Sequence, residues 1–148
     1  MKAATFFDTR IEVDETATAR WYEHAAEWDC GCADCRNYLA AAKARHLPAP
    51  LLQFLDTYGI PPEKAFYVCR IPLDSGGDRP KHACRYQLNF RLCGRILQQP
   101  DPGAHADMSF SEQEPEPFYE PGFPEPHFDL CAFCTLPRMP GESPDGNE

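Results

Sequence analysis

A chain of 148 residues with 43% hydrophobic residues and a formal net charge of -9 is long enough for one globular domain and too short for several. Nothing in it approaches about 18 apolar residues in a row, which excludes a transmembrane helix, and the first residues lack the apolar core of a secretion signal. The sequence therefore predicts a soluble cytoplasmic protein that does not bind membranes.

Charge is distributed unevenly along the chain. Residues 1–35 carry 3 basic and 8 acidic side chains, residues 36–95 carry 10 and 4, and residues 96–148 carry 1 and 11. The basic middle can bind phosphate or an acidic partner, with Arg85 and Arg91 as candidates, or the acidic ends can balance it within the folded chain. We favour the internal balance, so nucleic acid is a possible partner and not the favoured one.

The chain is expected to open with a strand and a helix. Residues 5–13 partly alternate in polarity, as a short strand does. Asp14 or Thr16 can then cap a helix that runs to about Trp28. One stripe of this helix is apolar and predicts its buried face, which comprises Ala17, Trp21, Ala25 and Trp28.

Two more helices are predicted before residue 60. The second begins near Asp34 and ends near His46, so that Cys32 and Cys35 lie in its first turn. Unpaired backbone N–H groups and the positive end of the helix dipole favour thiolate over thiol at that position. The third begins at Pro50 and is closed by Gly59. Its apolar side comprises Leu51, Leu52, Leu55 and Tyr58.

From residue 65 the apolar pattern changes from a helical period to a period of two. Residues 66–71 predict one strand and residues 84–92 a second, with a turn at residues 74–78 between them. The polar side of the second strand, which includes Arg85 and Arg91, is expected to face water. Gly94 is expected to mark a bend or bulge. Short strands are also predicted at residues 108–110 and 127–133.

Together these elements predict an α+β fold, in which two to three N-terminal helices pack on a small antiparallel sheet of three to five strands. The domain is expected to span residues 1–135. It includes a Pro/Glu-rich C-terminal arm at residues 112–126, where the prolines prevent helix or central strand. Residues 136–148 are predicted to form a flexible tail.

The clearest chemical signal is Cys30-Gly31-Cys32-Ala33-Asp34-Cys35, which we call the cysteine loop. C-x-C and C-x-x-C are both chelating spacings, and Zn²⁺ prefers four nitrogen or sulfur ligands in a tetrahedron. We therefore predict a structural zinc site at Cys30, Cys32 and Cys35. The candidate fourth ligand is Cys69, with His24, Cys131 or Cys134 as alternatives.

Three other interpretations of the cysteine loop stay open. The cysteines can be plain reduced thiols that line a turn, since a cytoplasmic location keeps thiols reduced. They can form a disulfide or redox pair, or one of them can be a catalytic nucleophile. No catalytic residue is assigned, because the five histidines fall at unrelated positions and Gly76-Gly77 is not followed by the residues of a phosphate loop.

A set of short segments covers most of the chain: Trp21-Tyr22, Cys30-Gly31-Cys32-x-x-Cys35-Arg36-Asn37, and residues 47–50, 59–64, 67–69, 94–97 and 121–126. These segments resemble a group of small, uncharacterised bacterial proteins from Gram-positive genomes and their mobile elements or prophages. The group has no established activity, so the resemblance implies one intact bacterial domain and carries no catalytic residue across. Its members end in Leu-Pro-Trp, whereas this chain has Leu136-Pro137-Arg138, preceded by a C-x-x-C at residues 131–134 that the resemblance does not cover.

We predict a non-enzymatic protein-interaction module, stabilised by zinc at the cysteine loop and of bacterial mobile-element or prophage origin, whose aromatic arm contacts a protein partner. A first alternative is an acidic inhibitor of a host nucleic-acid-binding enzyme, in which residues 107–129 present carboxylates in place of phosphates. A second alternative is a thiol oxidoreductase that uses Cys32 and Cys35.

Overall fold

The computed structural model describes residues 1–71, 83–99, 107–112 and 122–140. The helices are α1 (Glu15–His24), α2 (Ala33–Lys43) and α3 (Ala49–Thr57), followed by a 3-10 turn at Pro62–Lys64. The strands are β1 (Lys2–Phe6), β2 (Thr9–Val13), β3 (Tyr67–Ile71), β4 (Ala83–Gln98), β5 (Met108–Ser111) and β6 (His127–Pro137). The α+β class is confirmed, with the N-terminal helices packed on an antiparallel sheet.

In the described part of the chain the sheet has six strands, one more than the sequence predicts. Its order is β1-β2-β4-β6-β5, and β3 pairs with β4 beside this path. The extra strand arises because residues 2–13 form a hairpin in place of one strand. Phe7 and Asp8 both have positive φ, 54° and 63°, which is the backbone of a two-residue turn that matches the twist of its strands.

Strand β4 is the centre of the sheet. It pairs with β3 at residues 85–89, with β6 at residues 83–93 and with β2 at residues 94–98. Its even-numbered residues from Cys84 to Leu92 face the helices and are buried, as the alternation predicts. Tyr86 connects the two layers, because its hydroxyl donates to the carbonyl of Asp34 in α2 at 2.7 Å.

Helix α1 differs from its prediction in length and in orientation. It ends at His24 rather than Trp28, and its buried residues are Thr18 and Tyr22 rather than the apolar stripe. The physical reason is hydrogen bonding to β4. Thr18 Oγ1 accepts from the backbone N–H of Cys93 at 3.0 Å, and the Tyr22 hydroxyl donates to the Arg91 carbonyl at 2.7 Å. These bonds turn a mixed polar face inward. The predicted stripe is therefore not the most buried face, although Trp21, Ala25 and Trp28 are partly buried against the core.

The polar side of β4 is not the wet face that we expect from its sequence. Arg91 is fully buried, and its Nε and Nη2 lie 2.7 and 3.1 Å from the two carboxylate oxygens of Asp129 on β6. The guanidinium carbon lies 5.0 Å from the centre of the Phe66 ring, and Phe123 packs edge-on against that ring. Aromatic side chains therefore cover the Arg91 end of this face and shield a charge pair from water, while Arg85 and Gln87 at the other end are half-buried.

Several predicted segments lie only partly inside the described residues. The turn at residues 74–78, residues 113–121 of the arm and residues 141–148 of the tail lie outside them. The strands predicted at residues 108–110 and 127–133 are confirmed, and β6 continues to Pro137, two residues beyond the expected domain end. None of the helices in the described ranges has the length and apolar character that crossing a membrane requires.

Candidate metal centre

The cysteine loop lies between α1 and α2 and is fixed at both ends. On one side the backbone N–H of Trp28 donates to the carbonyl of Glu63 at 2.9 Å. On the other, Cys32 is the N-cap residue of α2, where its sulfur accepts from the backbone N–H of Cys35 at 3.4 Å. The Arg36 guanidinium folds back and donates to the carbonyl of Gly31 at 2.7 Å. The cysteines are thus presented by a tethered turn at a helix start.

The three sulfur atoms of the cysteine loop lie close enough to share one ion. The Sγ atoms of Cys30, Cys32 and Cys35 all lie within 4.8 Å of one another, and those of Cys30 and Cys32 are 3.4 Å apart. A zinc–sulfur bond of about 2.3 Å implies tetrahedron edges of about 3.8 Å. Cys30 is half-buried, Cys32 exposed and Cys35 buried. The group can therefore hold a metal ion that is reachable from solvent on one side.

The predicted fourth ligands are not brought into this group. His24, Cys69, Cys131 and Cys134 are all described, and none of their donor atoms joins the three sulfurs within 4.8 Å. Cys69 lies on β3, where its thiol donates to the carbonyl of Arg70 at 3.5 Å. Cys131 and Cys134 are three positions apart on β6, so they point to opposite faces of the sheet and cannot chelate one ion together. The fourth ligand stays a prediction.

The two cysteines of the C-x-x-C pair have different acidities. Slight burial raises the pKa of Cys32, but hydrogen bonds from the backbone and thiol of Cys35 and from the Cys30 thiol outweigh it and lower the pKa below its ordinary value. Burial raises the pKa of Cys35 to about 12, although the Trp28 indole N–H donates to its sulfur at 3.1 Å. The thiolate expected at both positions is therefore not favoured at Cys35, because burial outweighs the helix start there. Cys32 is therefore the thiol that ionises first, and all eight cysteines, each within the described residues, are free.

This difference predicts the order of alkylation in metal-free protein. Near pH 7, iodoacetamide should modify Cys32 before Cys35, because Cys32 is exposed and has the lowered pKa. Peptide mass spectrometry at timed quenches measures both rates, with the buried Cys84 as the slow reference. Equal rates at Cys32 and Cys84 would contradict the assigned environment of Cys32.

Sequence reasoning missed a cavity beside the cysteine loop. It measures about 340 Å³ and is lined by Trp21, residues 24–29 and residues 64–66. Trp28 joins the two features, because its ring lines the cavity while its indole N–H donates to Cys35. The only available signal was the aromatic content of the two segments, which we interpret from the sequence as core.

The proposed basic face is largely occupied by ion pairs. Arg85 lies 3.3 Å from Asp107, Arg95 lies 3.7 Å from Glu12, and Arg91 is buried against Asp129. Three more basic residues precede β4 in the sequence and lie outside the described residues: Arg79, Lys81 and His82. Of the carboxylates expected to mimic phosphates, Asp129 points into the protein.

Comparison of the chain with protein-family models, with curated proteins and with solved structures finds no match. The fold and the site themselves define a small α+β domain with a cysteine triad able to hold a metal ion.

Proposed function

We propose that this chain is a non-enzymatic protein-interaction module in which one zinc ion, bound at the cysteine loop, holds α1 and α2 in place. The observation that carries the proposal is the convergence of the Cys30, Cys32 and Cys35 sulfurs at the N-terminus of α2. Thiolates are zinc ligands, and the start of α2 stabilises negative charge on Cys32, whose sulfur accepts a backbone N–H. Metal binding would displace the proton of the buried Cys35. A bacterial mobile-element origin is part of the same proposal.

We place the interaction surface at the cavity next to the loop rather than on the aromatic arm of the sequence-based prediction. Residues 113–121 of that arm lie outside the described residues, and its Phe123 is buried against Trp21 and Phe66. Three aromatic side chains, Trp21, Trp28 and Phe66, line the cavity together with polar residues, which are His24, Glu27, Asp29 and Lys64. Protein-binding surfaces are enriched in aromatic side chains that lie among polar ones. Since Trp28 also contacts Cys35, metal binding at the loop and the shape of this surface are coupled.

Zinc titration with thermal melting tests the structural half of the proposal. At a free zinc concentration 100 times Kd, the metal-free protein should gain about 2.7 kcal/mol of stability. Magnesium at the same concentration should change nothing, because it prefers oxygen ligands. A melting temperature that does not respond to zinc in the reduced wild-type protein would contradict the proposal.

A binding comparison tests the interaction half. Zinc-loaded wild type, Trp21→Ala and Leu97→Ala are immobilised and exposed to a bacterial lysate, where Leu97 serves as an exposed apolar control outside the cavity. A partner retained by wild type and Leu97→Ala, and lost from a folded Trp21→Ala, supports the cavity as the interface. Equal retention by all three would contradict it. If retention of the partner falls steeply above physiological salt concentration, the alternative of an acidic inhibitor of a nucleic-acid-binding enzyme is favoured.

The thiol oxidoreductase alternative has one observation in its favour, the exposed Cys32 with a lowered pKa beside the buried Cys35. In that reaction the Cys32 thiolate attacks a substrate disulfide, and Cys35 resolves the mixed disulfide. The products are a Cys32–Cys35 disulfide and two substrate thiols, and an external dithiol must reduce the enzyme again. Turnover of a model disulfide with dithiothreitol, abolished in Cys32→Ser, would establish this alternative against zinc binding.

A further inference from the structure

Among the residues that the structure describes, the cysteine loop offers three sulfur donors to an ion that prefers four ligands, which leaves one side open. Within the described residues no fourth histidine, cysteine or carboxylate lies within 4.8 Å of the three sulfurs. Cys32 is exposed and Cys30 half-buried, so the open side faces solvent rather than the sheet. Structural zinc sites are closed by four protein ligands, whereas sites with three protein ligands keep a position for a ligand from outside.

The donor set selects the chemistry of that outside ligand. Three thiolates are soft ligands, and they leave a divalent ion with too little positive charge to acidify a bound water strongly. A fourth soft donor bonds better to such an ion than water does. The extra negative charge of a fourth thiolate is placed at the N-terminus of α2, near the Arg36 guanidinium that contacts Gly31. Thiols are therefore the favoured ligand class.

The cavity supplies room for the rest of such a ligand. Trp28 and Asp29 line it, and Asp29 directly precedes Cys30 in the chain. A thiol that reaches the ion from this side places its organic part against Trp28 and Trp21. The volume of about 340 Å³ suits a small molecule or one side chain with its flanking backbone.

On this basis, and resting on the proposed metal site, we infer that the fourth coordination position takes a thiolate from outside the chain. On binding, the thiol gives its proton to solvent, its sulfur forms a bond to the metal, and the water that held the position leaves. No electron is transferred. The sulfur can come from a small thiol or from a cysteine of the protein partner, since both present the same donor.

Cobalt substitution tests the inference. Co²⁺ replaces zinc in the reduced full chain, and the sulfur-to-cobalt charge-transfer absorption, which grows with the number of bound thiolates, is followed during titration with N-acetylcysteine. The absorption should rise by about a third, from three thiolates to four, and saturate at one equivalent bound. N-acetylserine, which replaces the thiol by a hydroxyl, should produce no change. If a Cys-containing peptide saturates the absorption change at a concentration at least tenfold lower than N-acetylcysteine does, the source of the thiolate is a protein.

Two results of the cobalt experiment distinguish a failure of the outside-thiolate inference from a failure of the proposed metal site. If cobalt binds with thiolate absorption but N-acetylcysteine changes nothing, the position is closed and the inference is overturned. Single variants His24→Ala, Cys69→Ser, Cys131→Ser and Cys134→Ser then identify a ligand from the chain itself, because its loss lowers the absorption by about a quarter when that ligand is a thiolate. If no cobalt binds, the metal site itself fails.

Discussion

Arg91→Met should destabilise the protein by about 3 to 5 kcal/mol at pH 7, the usual cost of leaving one partner of a buried ion pair uncompensated. Arg91 is fully buried, and its side chain makes two hydrogen bonds to Asp129 under the aromatic layer of Phe66 and Phe123. Methionine fills part of the volume but leaves the Asp129 carboxylate in an apolar site. Urea unfolding followed by circular dichroism measures the change.

The same variant should respond to pH in a defined direction. Burial raises the pKa of the Asp129 carboxyl, and in the wild type the Arg91 guanidinium offsets part of that rise. Without Arg91 the folded state binds a proton more readily than the unfolded state. Its stability therefore falls as the pH increases through the range between the ordinary and the raised pKa, and part of it returns in acid.

Two controls isolate the uncompensated charge. Arg91→Met combined with Asp129→Leu removes both charges and should recover most of the lost stability. Arg95→Met breaks an exposed pair with Glu12 and should cost less than about 1 kcal/mol. A single Arg91→Met variant as stable as wild type would show that the pair contributes nothing to the fold.

Gly94→Ala should cost about 3 kcal/mol or more, and urea unfolding measures the loss. Gly94 has φ of 150°, and a Cβ atom built on it would lie 1.9 Å from the backbone oxygen of Glu12. That oxygen belongs to β2, which pairs with β4 at this point, so it cannot move without opening the β2–β4 pairing.

Gly31→Ala is the matched control for Gly94→Ala, because no atom beyond the two neighbouring residues lies within 4 Å of the added methyl group. Replacing Gly31 by alanine should then change the free energy of unfolding by less than about 1 kcal/mol. If both variants lost equal stability, backbone collision at Gly94 would not be the cause.

The helices and strands were predictable where one period dominates the sequence. The even residues of β4, from Cys84 to Leu92, are buried as their alternation indicates. The opposite face was not predictable in this way. Around Arg91 it is covered by Phe66, which lies just before β3, and by Phe123, which lies in the loop before β6. The alternation within β4 carries no information about these two rings, so it predicted a surface position for Arg91.

Helix α1 is a second element whose buried face does not follow from its hydropathy pattern. An apolar stripe through Trp21 predicts the buried face, but Thr18 and Tyr22 are buried because their hydroxyls bond to backbone groups of β4. Hydropathy patterns register apolar area and not the hydrogen bonds that a hydroxyl can make. The fold class therefore followed from the sequence, while the orientation of α1 did not.

At the candidate site, the spacing of cysteines within six residues predicted which sulfurs meet. The sequence did not predict which distant residue approaches them. C-x-C and C-x-x-C within six residues bring Cys30, Cys32 and Cys35 together with the help of one turn. A fourth ligand depends on which strand face approaches the loop. Cys69 and Cys131 lie on strands of the sheet, and their positions in the sequence do not specify a distance to the cysteine loop.

The metal content of the purified, reduced protein tests the central claim most directly. Native mass spectrometry with elemental analysis should find one zinc per chain in the wild type and in Cys84→Ala, whose sulfur is buried in the sheet. The double variant Cys30→Ser/Cys32→Ser should contain none. Wild-type protein that is metal-free, fully reduced and unable to take up added zinc would contradict the account.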